Sequence, residues 1–445
     1  MSVSPARMAA FNILLRVSKY DSYAQELLHS EHCAELSSAD SGLTTELVMG
    51  VLRWQASLDS AIAKWSSQNI TKLDSEVLLA LRLGAYQLGW LDRIPTHAAI
   101  HESVELVKAA RKRSAAPFAN AVLRRLSESR TRIKPDSIDS ASTATVLANI
   151  SSHPPWMVNR WASAFGFDVA RKICQYDQRV PATTLRLRSA DAEDRLQSEG
   201  VTLAPGQWMN SSRRVMAGDI TVTRAYGENM VAIQDEASQL IGAMVGSGSR
   251  ILDCCAAPGG KTWAIADRSP QSLILAIELY RHRAHLLKKR VTAGNVVVIN
   301  SDARSLPTNA QFDRVLVDAP CSGTGTLARN PEIKWRLTTS DLADLSARQE
   351  QILKSAMERV STNGRLVYAT CSLESEEGEA VIESTLRDNS AFRLANIGTI
   401  LHELVENGEL ASQDFTSLIR GEFLRTIPGI HNCDGFFAAV LERFC

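Results

Sequence analysis

Continuous apolar runs follow one another in the C-terminal half of the chain, and helical stretches separate them. The runs are Arg250–Cys254, Leu273–Ile277, Val296–Ile299, Arg314–Val317 and Arg365–Ala369. Strands that are apolar at nearly every position are buried on both faces, as in parallel sheets covered by helices on each side. Residues 236–445 are therefore predicted to form an open, doubly wound α/β domain of the Rossmann-like class.

The part of the chain before residue 236 has a different pattern of apolar and polar residues. Residues 1–135 place apolar side chains at helical spacing, without a strand pattern between them, which predicts an all-α domain. Residues 136–150 are rich in small polar residues and are predicted to be a linker. Thr184–Arg188 and Ile220–Arg224 alternate with period two, so residues 151–235 are predicted to be a small α+β domain.

The cysteines and the hydropathy pattern limit the kind of protein. No stretch approaches the roughly 18 apolar residues of a membrane span, and the N-terminus shows no secretory signal. The eight cysteines have no paired spacing typical of a metal site, and a chain of 445 residues needs no disulfide staples. We therefore expect free thiols, no bound metal and a cytoplasmic location. Five cysteines without functional context are interpreted as structural: Cys33, Cys174, Cys254, Cys433 and Cys445.

Positive charge is concentrated near the end of the predicted helical domain, although the net charge of the chain is zero. Eight cations and a single acid, Glu128, lie between residues 111 and 134. The cations are Arg111, Lys112, Arg113, Arg124, Arg125, Arg130, Arg132 and Lys134. Such a cluster can bind phosphates. A solvated helix surface explains the charge equally well.

The first apolar run leads into a glycine-containing loop, Asp253–Thr262. Gly259 and Gly260 allow a ligand to approach the backbone closely, and the following helix presents its N-terminal amides. A phosphate-binding P-loop would need glycine at Cys255, and the dinucleotide fingerprint G-x-G-x-x-G is absent, so both nucleotide motifs are excluded.

Acidic residues follow the next three runs. Glu278, Asp302 and Asp318 end or follow the second, third and fourth runs, at the edge of the sheet where such folds bind ligands. Carboxylates at that edge would repel a polyphosphate but suit adenosine that carries a positively charged sulfonium. The alternative interpretation, considered for each residue singly, is a surface carboxylate or a helix cap.

Two cysteines also follow strands at this edge. Cys321 lies in Asp318–Gly325, and Cys371 lies in Thr370–Ser372. A thiolate that adds to carbon 6 of cytosine turns carbon 5 into a nucleophile that can accept a methyl group, and the thiol is then eliminated. Asp318, in its protonated form, could donate a hydrogen bond to ring nitrogen N3. A buried core cysteine is the alternative for each.

These motifs together resemble the RNA cytosine-5 methyltransferases related to the bacterial Fmu/Sun proteins, over essentially the whole chain. The resemblance implies S-adenosylmethionine as cofactor. It implies Glu278 as the ribose-binding acid, Asp302 as the residue near adenine, and Asp318 as shared by cofactor and base. It implies Cys371 as the nucleophile, with Cys321 assisting proton removal or product release. The loop that would hold the methionine part is Cys255, Ala256, Ala257, Pro258, Gly259, Gly260 and Lys261.

The N-terminal helical domain resembles the RNA-binding antitermination factor NusB. In this family, that extension is typical of the enzyme that methylates one cytosine of 16S ribosomal RNA, which implies this RNA as partner and a role for the basic cluster in gripping it. Residues 151–235 are expected to help recognise the RNA, and a monomer is expected. Alternatives are cytosine-5 methylation of tRNA or 23S rRNA and a non-catalytic RNA-binding assembly factor. Methylation of an exocyclic amine is least favoured, because Asp318–Cys321 lacks the Asn/Asp-Pro-Pro-aromatic motif.

Overall fold

The computed structural model describes residues 3–20, 22–30, 33, 35–129 and 133–444. The chain forms two compact units. The first unit comprises Met1–Val180 and Leu327–Arg336, and the second comprises Pro181–Thr326 and Leu337–Cys445. Of the helices in the described ranges, none is long and apolar enough to cross a bilayer.

The first unit is helical, as predicted. Before residue 181 its described α-helices are α1 (Pro5–Tyr20), α2 (Ala24–Leu28), α3 (Ser38–Arg53), α4 (Gln55–Trp65), α5 (Ser75–Trp90), α6 (Thr96–Ala109), α7 (Ala116–Glu128), α8 (Ala144–Ile150), α9 (Pro155–Phe165) and α10 (Phe167–Asp177), and a further short helix spans Ile333–Arg336. The apolar faces of α1 and α3 to α7 meet in one core, to which Leu14, Leu47 and Leu81 contribute fully buried side chains. Periodic apolar residues therefore produced helices because each helix buries one face against its neighbours.

The end of this unit differs from the predicted boundaries. Residues 136–150 are not an irregular linker, because they contain α8, in which the Thr143 hydroxyl caps the helix by accepting from Val146 N at 3.2 Å. The buried Leu147 anchors that helix. Helices α9 and α10 also belong to the first unit, which ends at Val180. The start of an α+β domain at residue 151 is therefore wrong.

The segment Leu327–Arg336 returns to the first unit from the sequence of the second. Its Lys334 side chain is buried, and Nζ donates to the carbonyls of Arg53 at 2.8 Å and Ser152 at 2.9 Å. Trp335 Nε1 donates to Leu52 O at 2.7 Å. These contacts anchor the segment within the helical unit.

The second unit begins with a small antiparallel sheet. Its order is β2-β3-β1-β4. The elements are β1 (Thr184–Leu187), α11 (Ala192–Ser198), β2 (Thr202–Pro205), β3 (Ser212–Ala217), α12 (Arg224–Gly227) and β4 (Val231–Ile233). The strand predicted at Ile220–Arg224 is wrong, because Asp219 and Thr223 accept from Thr221 N and Tyr226 N and so cap two helical turns.

A nine-stranded mixed sheet forms most of the second unit, in the order β11-β12-β13-β9-β8-β5-β6-β7 with β10 paired to β13. The strands are β5 (Arg250–Asp253), β6 (Leu273–Glu278), β7 (Val296–Asn300), β8 (Phe312–Asp318), β9 (Val360–Thr370), β10 (Phe392–Leu394), β11 (Ile419–Arg420), β12 (Phe423–Thr426) and β13 (Phe436–Arg443). The helices are α13 (Glu236–Met244), α14 (Gly260–Arg268), α15 (Arg281–Arg290), α16 (Thr339–Met357), α17 (Glu379–Arg387) and α18 (Ile397–Glu406). All five predicted strands are confirmed as β5 to β9.

The predicted burial of both sheet faces is confirmed as well. Strands β5 to β9 are parallel, whereas β13 joins β9 antiparallel. Ile251 lies in the core on one face, and its neighbour Leu252 lies in the core on the other. Strand β5 pairs with β6 on one side and β8 on the other, so the strand order reverses at β5. The loops after β5 and β8 therefore diverge and open a crevice at the carboxyl edge of the sheet.

Candidate active site

The loop after β5 is held tightly against α15. Gly259 has φ +105°, a conformation that favours glycine, and a Cβ there would lie 2.7 Å from Leu287 Cδ1, so a larger residue would also displace that side chain. Arg283 Nη2 donates to Ala257 O at 3.1 Å. Helix α14 begins directly afterwards at Gly260. The predicted loop residues 255–261 therefore form a fixed turn at the carboxyl end of β5.

Lys261 projects from this turn to the end of β8. Its Nζ forms an ion pair with Asp318 Oδ2 at 2.8 Å. Burial favours the neutral amine, but the negative charge of Asp318 outweighs it and raises the pKa of Lys261. In this contact Lys261 Nζ donates and the Asp318 oxygen accepts, whereas the role predicted for Asp318 would have its carboxyl donate to N3. Lys261 is the proton-bearing member of this pair.

The two predicted cysteines meet. Cys321 Sγ lies 3.2 Å from Cys371 Sγ, and both are free, partly exposed thiols. They follow β8 and β9, which pair in parallel with Asp318 opposite Ala369. The hydrogen bond with Cys371, burial and the negative charges of Cys371 and Glu377 raise the pKa of Cys321 well above its usual value. Cys371 in turn is close enough to Lys261 to contribute to the raised pKa of that lysine.

Glu278 and Asp302 lie farther along the same edge. Glu278 ends β6 and is buried, and one carboxylate oxygen accepts from Tyr280 N at 2.9 Å. Asp302 follows β7 and accepts from Arg304 Nη2 at 2.6 Å. The hydrogen bond from Arg304 lowers the pKa of Asp302. Strands β6 and β7 are neighbours, so both carboxylates belong to one side of the crevice.

The carboxylates at this edge of the sheet fit a cationic adenosine ligand, because they carry negative charge and accept hydrogen bonds. Asp253, at the end of β5, has a buried carboxylate in which Oδ1 has no hydrogen-bond partner within the described residues. Oδ2 accepts from Thr262 Oγ1 at 2.7 Å. Buried acceptors of this kind are normally satisfied, so an unpaired one beside Glu278 and the loop is consistent with a bound ligand that donates hydrogen bonds.

Comparisons with known proteins agree with this geometry. A family model described as 16S rRNA methyltransferase RsmB/F matches residues 245–442, and a NusB family model matches residues 4–128. The probable ribosomal RNA small subunit methyltransferase B of Bacillus subtilis strain 168 is 32% identical over 460 residues, covering 100% of both chains. The chain belongs to the RsmB/F family of 16S rRNA methyltransferases.

Two further relatives extend the match. The ribosomal RNA small subunit methyltransferase B of an Escherichia coli strain (O17:K52:H18, UMN026 / ExPEC) is 29% identical and covers 92% of both chains. The crystal structure of PH0851 superimposes with a TM-score of 0.80 over 100% of both chains at 23% identity, which supports the fold. The predicted family, the fold class and the S-adenosylmethionine-dependent RNA cytosine-5 methyltransferase class are thus confirmed.

Several polar residues of this family member were missed in the sequence. Asp253 ends the first predicted run and could have been included with the other strand-end acids. Glu377 accepts hydrogen bonds from the two serines that follow the cysteines, Ser322 and Ser372. It stands in the acidic run Glu374–Glu379, which by composition is typical of a solvated surface, so nothing in the sequence distinguishes its buried position from those of the other acids.

Asp253 gives a test of these electrostatics. Burial, reinforced by the charge of Asp318, raises the pKa of Asp253 to about 7. An unfolded Asp titrates near about 3.9, so between these values the folded chain binds more protons and the stabilising contribution of this group is lost as the pH rises. Asp253→Asn should therefore gain stability relative to wild type from pH 4 to 7.5, by up to about 4 kcal/mol at about 1.4 kcal/mol per pKa unit.

Calorimetric unfolding of both proteins across this pH range measures the difference. Asp344→Asn, at an exposed position of α16, is the matched control and should follow wild type at every pH. A constant difference between Asp253→Asn and wild type would contradict the assignment of a neutral, buried Asp253 at low pH.

Proposed function

We propose that the protein methylates carbon 5 of one cytosine in 16S ribosomal RNA, acting as a monomer, through a covalent bond between Cys371 and carbon 6. The observation that carries the proposal is the convergence of two thiols, 3.2 Å apart, with the Lys261–Asp318 ion pair at the ends of adjacent strands. An inert RNA-binding factor would have no need of this arrangement. The RNA itself is inferred from the family and from the NusB-like N-terminal unit.

The chain's own groups account for each step. Cys371 adds as the thiolate to carbon 6, and the S–C6 bond forms as the ring electrons move to carbon 5. Lys261 favours that thiolate by its charge and can hydrogen-bond the ring as negative charge develops. Bound S-adenosylmethionine would supply an electrophilic methyl group to carbon 5, with the bond from the methyl group to the sulfonium breaking to leave neutral S-adenosylhomocysteine. A base then removes the proton from carbon 5, the C5–C6 double bond re-forms, and the S–C6 bond breaks to release Cys371. Cys321 lies beside Cys371 to assist this last step.

The cofactor would occupy the crevice described above. The fixed turn 255–261 would hold its methionine part, Glu278 would accept from the ribose hydroxyls, and Asp302 would lie near the adenine. The carboxylate of Asp318 provides the negative surroundings that a sulfonium prefers, and Asp253, whose pKa is raised to about 7, adds to them as the pH rises through that value.

The helical unit offers a surface for the RNA. Arg111, Arg113, Arg124, Arg125 and Lys134 are exposed, whereas Lys112 pairs with Asp74 at 2.9 Å. Arg130 and Arg132, which the sequence placed in the same cluster, lie outside the described residues. Exposed cations of this kind bind RNA phosphates without sequence preference, so they are proposed to add affinity, while residues 181–235 add contacts near the target.

Incubating the purified protein with 16S rRNA and methyl-labelled S-adenosylmethionine tests the proposal directly. Label should enter the RNA, and bisulfite sequencing should show a single protected cytosine. Label in tRNA or 23S rRNA instead would identify another target. Absence of both cofactor binding and label would favour the non-catalytic assembly factor.

Glu278 provides a separate prediction for cofactor binding. Glu278→Gln keeps the size of the side chain but removes its charge, so hydrogen bonds from ribose hydroxyls lose a charged acceptor, a change of about 1.5–3 kcal/mol. The dissociation constant for S-adenosylmethionine, measured by calorimetry, should rise about 10- to 100-fold. Glu383→Gln, an exposed carboxylate on α17, should leave it unchanged. Equal affinities would remove Glu278 from the cofactor site.

A further inference from the structure

Glu377 is a fully buried carboxylate beside the two cysteine turns. It lies in a single helical turn between β9 and α17, and its exposed fraction is 0%. Within the described residues its oxygens accept only from neutral donors. The donors are Ser322 N at 2.8 Å, Ser322 Oγ, Ser372 Oγ at 2.5 Å and Gln349 Nε2 at 2.9 Å.

Burying a carboxylate without a cationic partner is costly, and several hydrogen bonds are needed to offset it. The serines that donate these hydrogen bonds lie next to the thiols in the sequence, because Ser322 directly follows Cys321 and Ser372 directly follows Cys371. The two serine hydroxyls also lie 3.1 Å apart. One carboxylate therefore ties together the two turns that carry the thiols.

The two turns depend on this carboxylate to different degrees. Cys371 directly follows β9, where Thr370 pairs with Phe437, and Arg425 Nη1 additionally holds Ser372 O at 2.9 Å. On either side of Cys321, in contrast, Ser322 gives both its amide and its hydroxyl to Glu377. Pro320 O accepts from Gln349 Nε2 at 2.9 Å, and the same Gln349 amide donates to Glu377.

We propose that Glu377 is a positioning residue of the methyltransferase reaction, which holds the Cys321 turn against Cys371 for the step that releases the methylated base. The inference rests on the proposed function, because it assumes the covalent step at Cys371. Loss of Glu377 leaves Cys371 supported by the sheet but removes both hydrogen bonds that Ser322 makes beside Cys321, so this turn is loosened, although Gly325 N still donates to Cys371 O at 2.9 Å. Glu377 accepts no hydrogen bond from either sulfur; it acts through Ser322 and Ser372 and, at Cys321, also through its negative charge, which helps to raise the pKa of that thiol.

Glu377→Gln tests this inference, because an amide cannot accept from all of these donors at once. With 16S rRNA and labelled cofactor, methyl transfer in a single turnover should fall less than about tenfold, whereas steady-state turnover should fall about 100-fold, as expected for misplacement of a catalytic group by about 1 Å. A denaturant-stable protein–RNA adduct that carries the methyl label should accumulate. General loss of structure would lower both rates together and would accumulate no adduct, which overturns the inference.

Serine variants keep the test decisive if Glu377→Gln does not fold. Ser322→Ala removes one of the four hydrogen bonds without leaving a buried charge unsupported, and it should also accumulate adduct, at a lower level. Ser372→Ala should accumulate less than Ser322→Ala. In the triple variant Glu377→Gln/Ser322→Ala/Ser372→Ala the losses of steady-state turnover should not add, because the three side chains act through one hydrogen-bonded cluster. Ser322→Ala with wild-type release would overturn the inference.

Two further variants distinguish failure of this inference from failure of the proposed function. Cys321→Ala, run in the same assay, reports whether blocked release is visible as an adduct at all. If Cys321→Ala accumulates no adduct, the proposed function fails. If Cys321→Ala accumulates adduct but Glu377→Gln and Ser322→Ala do not, only the role of Glu377 fails. Glu350→Gln is the matched control on α16, because its carboxylate pairs with Ser384 and Lys354 away from both turns, and it should behave as wild type.

Discussion

Replacing Cys371 with alanine is expected to lower methyl transfer to 16S rRNA by at least about four orders of magnitude, since loss of a covalent nucleophile removes the reaction path itself. No other group in the described site can take its place. Cys321 is 3.2 Å away, but the hydrogen bond with Cys371, burial and neighbouring negative charge raise its pKa. Removal of Cys371 relieves part of that effect without moving the Cys321 sulfur to the position of the lost one.

Single-turnover methylation with excess enzyme measures this loss without interference from product release. The Cys371 side chain is partly exposed, so the substitution should leave the thermal unfolding temperature and cofactor affinity close to wild type. Cys174→Ala, at a buried cysteine of the first unit, is the matched control and should retain the full rate. Retention of the wild-type rate by Cys371→Ala would remove this cysteine from the role of nucleophile.

The main sheet could be predicted because its strands are apolar at nearly every position. Such runs are buried whatever the loops between them do, and the carboxyl ends of parallel strands necessarily share one edge. This is why Glu278, Asp302, Asp318, Cys321 and Cys371 were assigned to one edge without coordinates. The structure adds the antiparallel strands after β9. Strands β10, β11 and β12 have only two to four residues and gave no comparable signal, whereas β13 opens with six consecutive apolar residues and was missed in the sequence.

Local polar chemistry explains the errors. Ile220–Arg224 alternates like a strand, but Asp219 and Thr223 offer side-chain acceptors to the following amides, and two helical turns form instead. Residues 136–150 were predicted to be a linker because small polar residues dominate their first part, yet Thr143 caps a helix that buries Leu147. In both cases a capping hydrogen bond, which depends on one side chain, outweighed the average character of the segment.

Pairings between distant residues could not be predicted at all. Lys261 and Asp318 are 57 residues apart, and Ser322 and Glu377 are 55 apart. Each residue has an ordinary local interpretation, as a loop cation, a strand-end acid or part of an acidic run. Only the fold brings them into contact, so the proton-bearing role of Lys261 and the buried position of Glu377 had to come from the structure.

Replacing Cys321 with alanine is expected to block the reaction after methyl transfer, whereas Cys371→Ala blocks it before. The nucleophile, Lys261 and the cofactor loop remain, so the S–C6 bond forms and the methyl group is transferred. Bonding of Cys371 to carbon 6 removes the hydrogen bond and charge of Cys371 that raise the pKa of Cys321, so Cys321 can then assist in removing the proton on carbon 5. Without Cys321 that proton leaves slowly, and the S–C6 bond cannot break until it does. Steady-state turnover should therefore fall by about three orders of magnitude, within the usual contribution of about 10²–10⁴ for acid–base assistance, while nearly one methyl group per enzyme is still transferred.

The trapped species gives this prediction a clear readout. A denaturing gel should show a protein band shifted by covalently attached RNA, and that band should carry label from the methyl donor, because the block lies after methyl transfer. The double variant Cys321→Ala/Cys371→Ala should lose the band, since the bond to carbon 6 is made by Cys371. A shifted band without methyl label would place the block before methyl transfer. If the shifted band persists in the double variant, a residue other than Cys371 forms the bond to the RNA. The assignment of the two thiols would then be wrong.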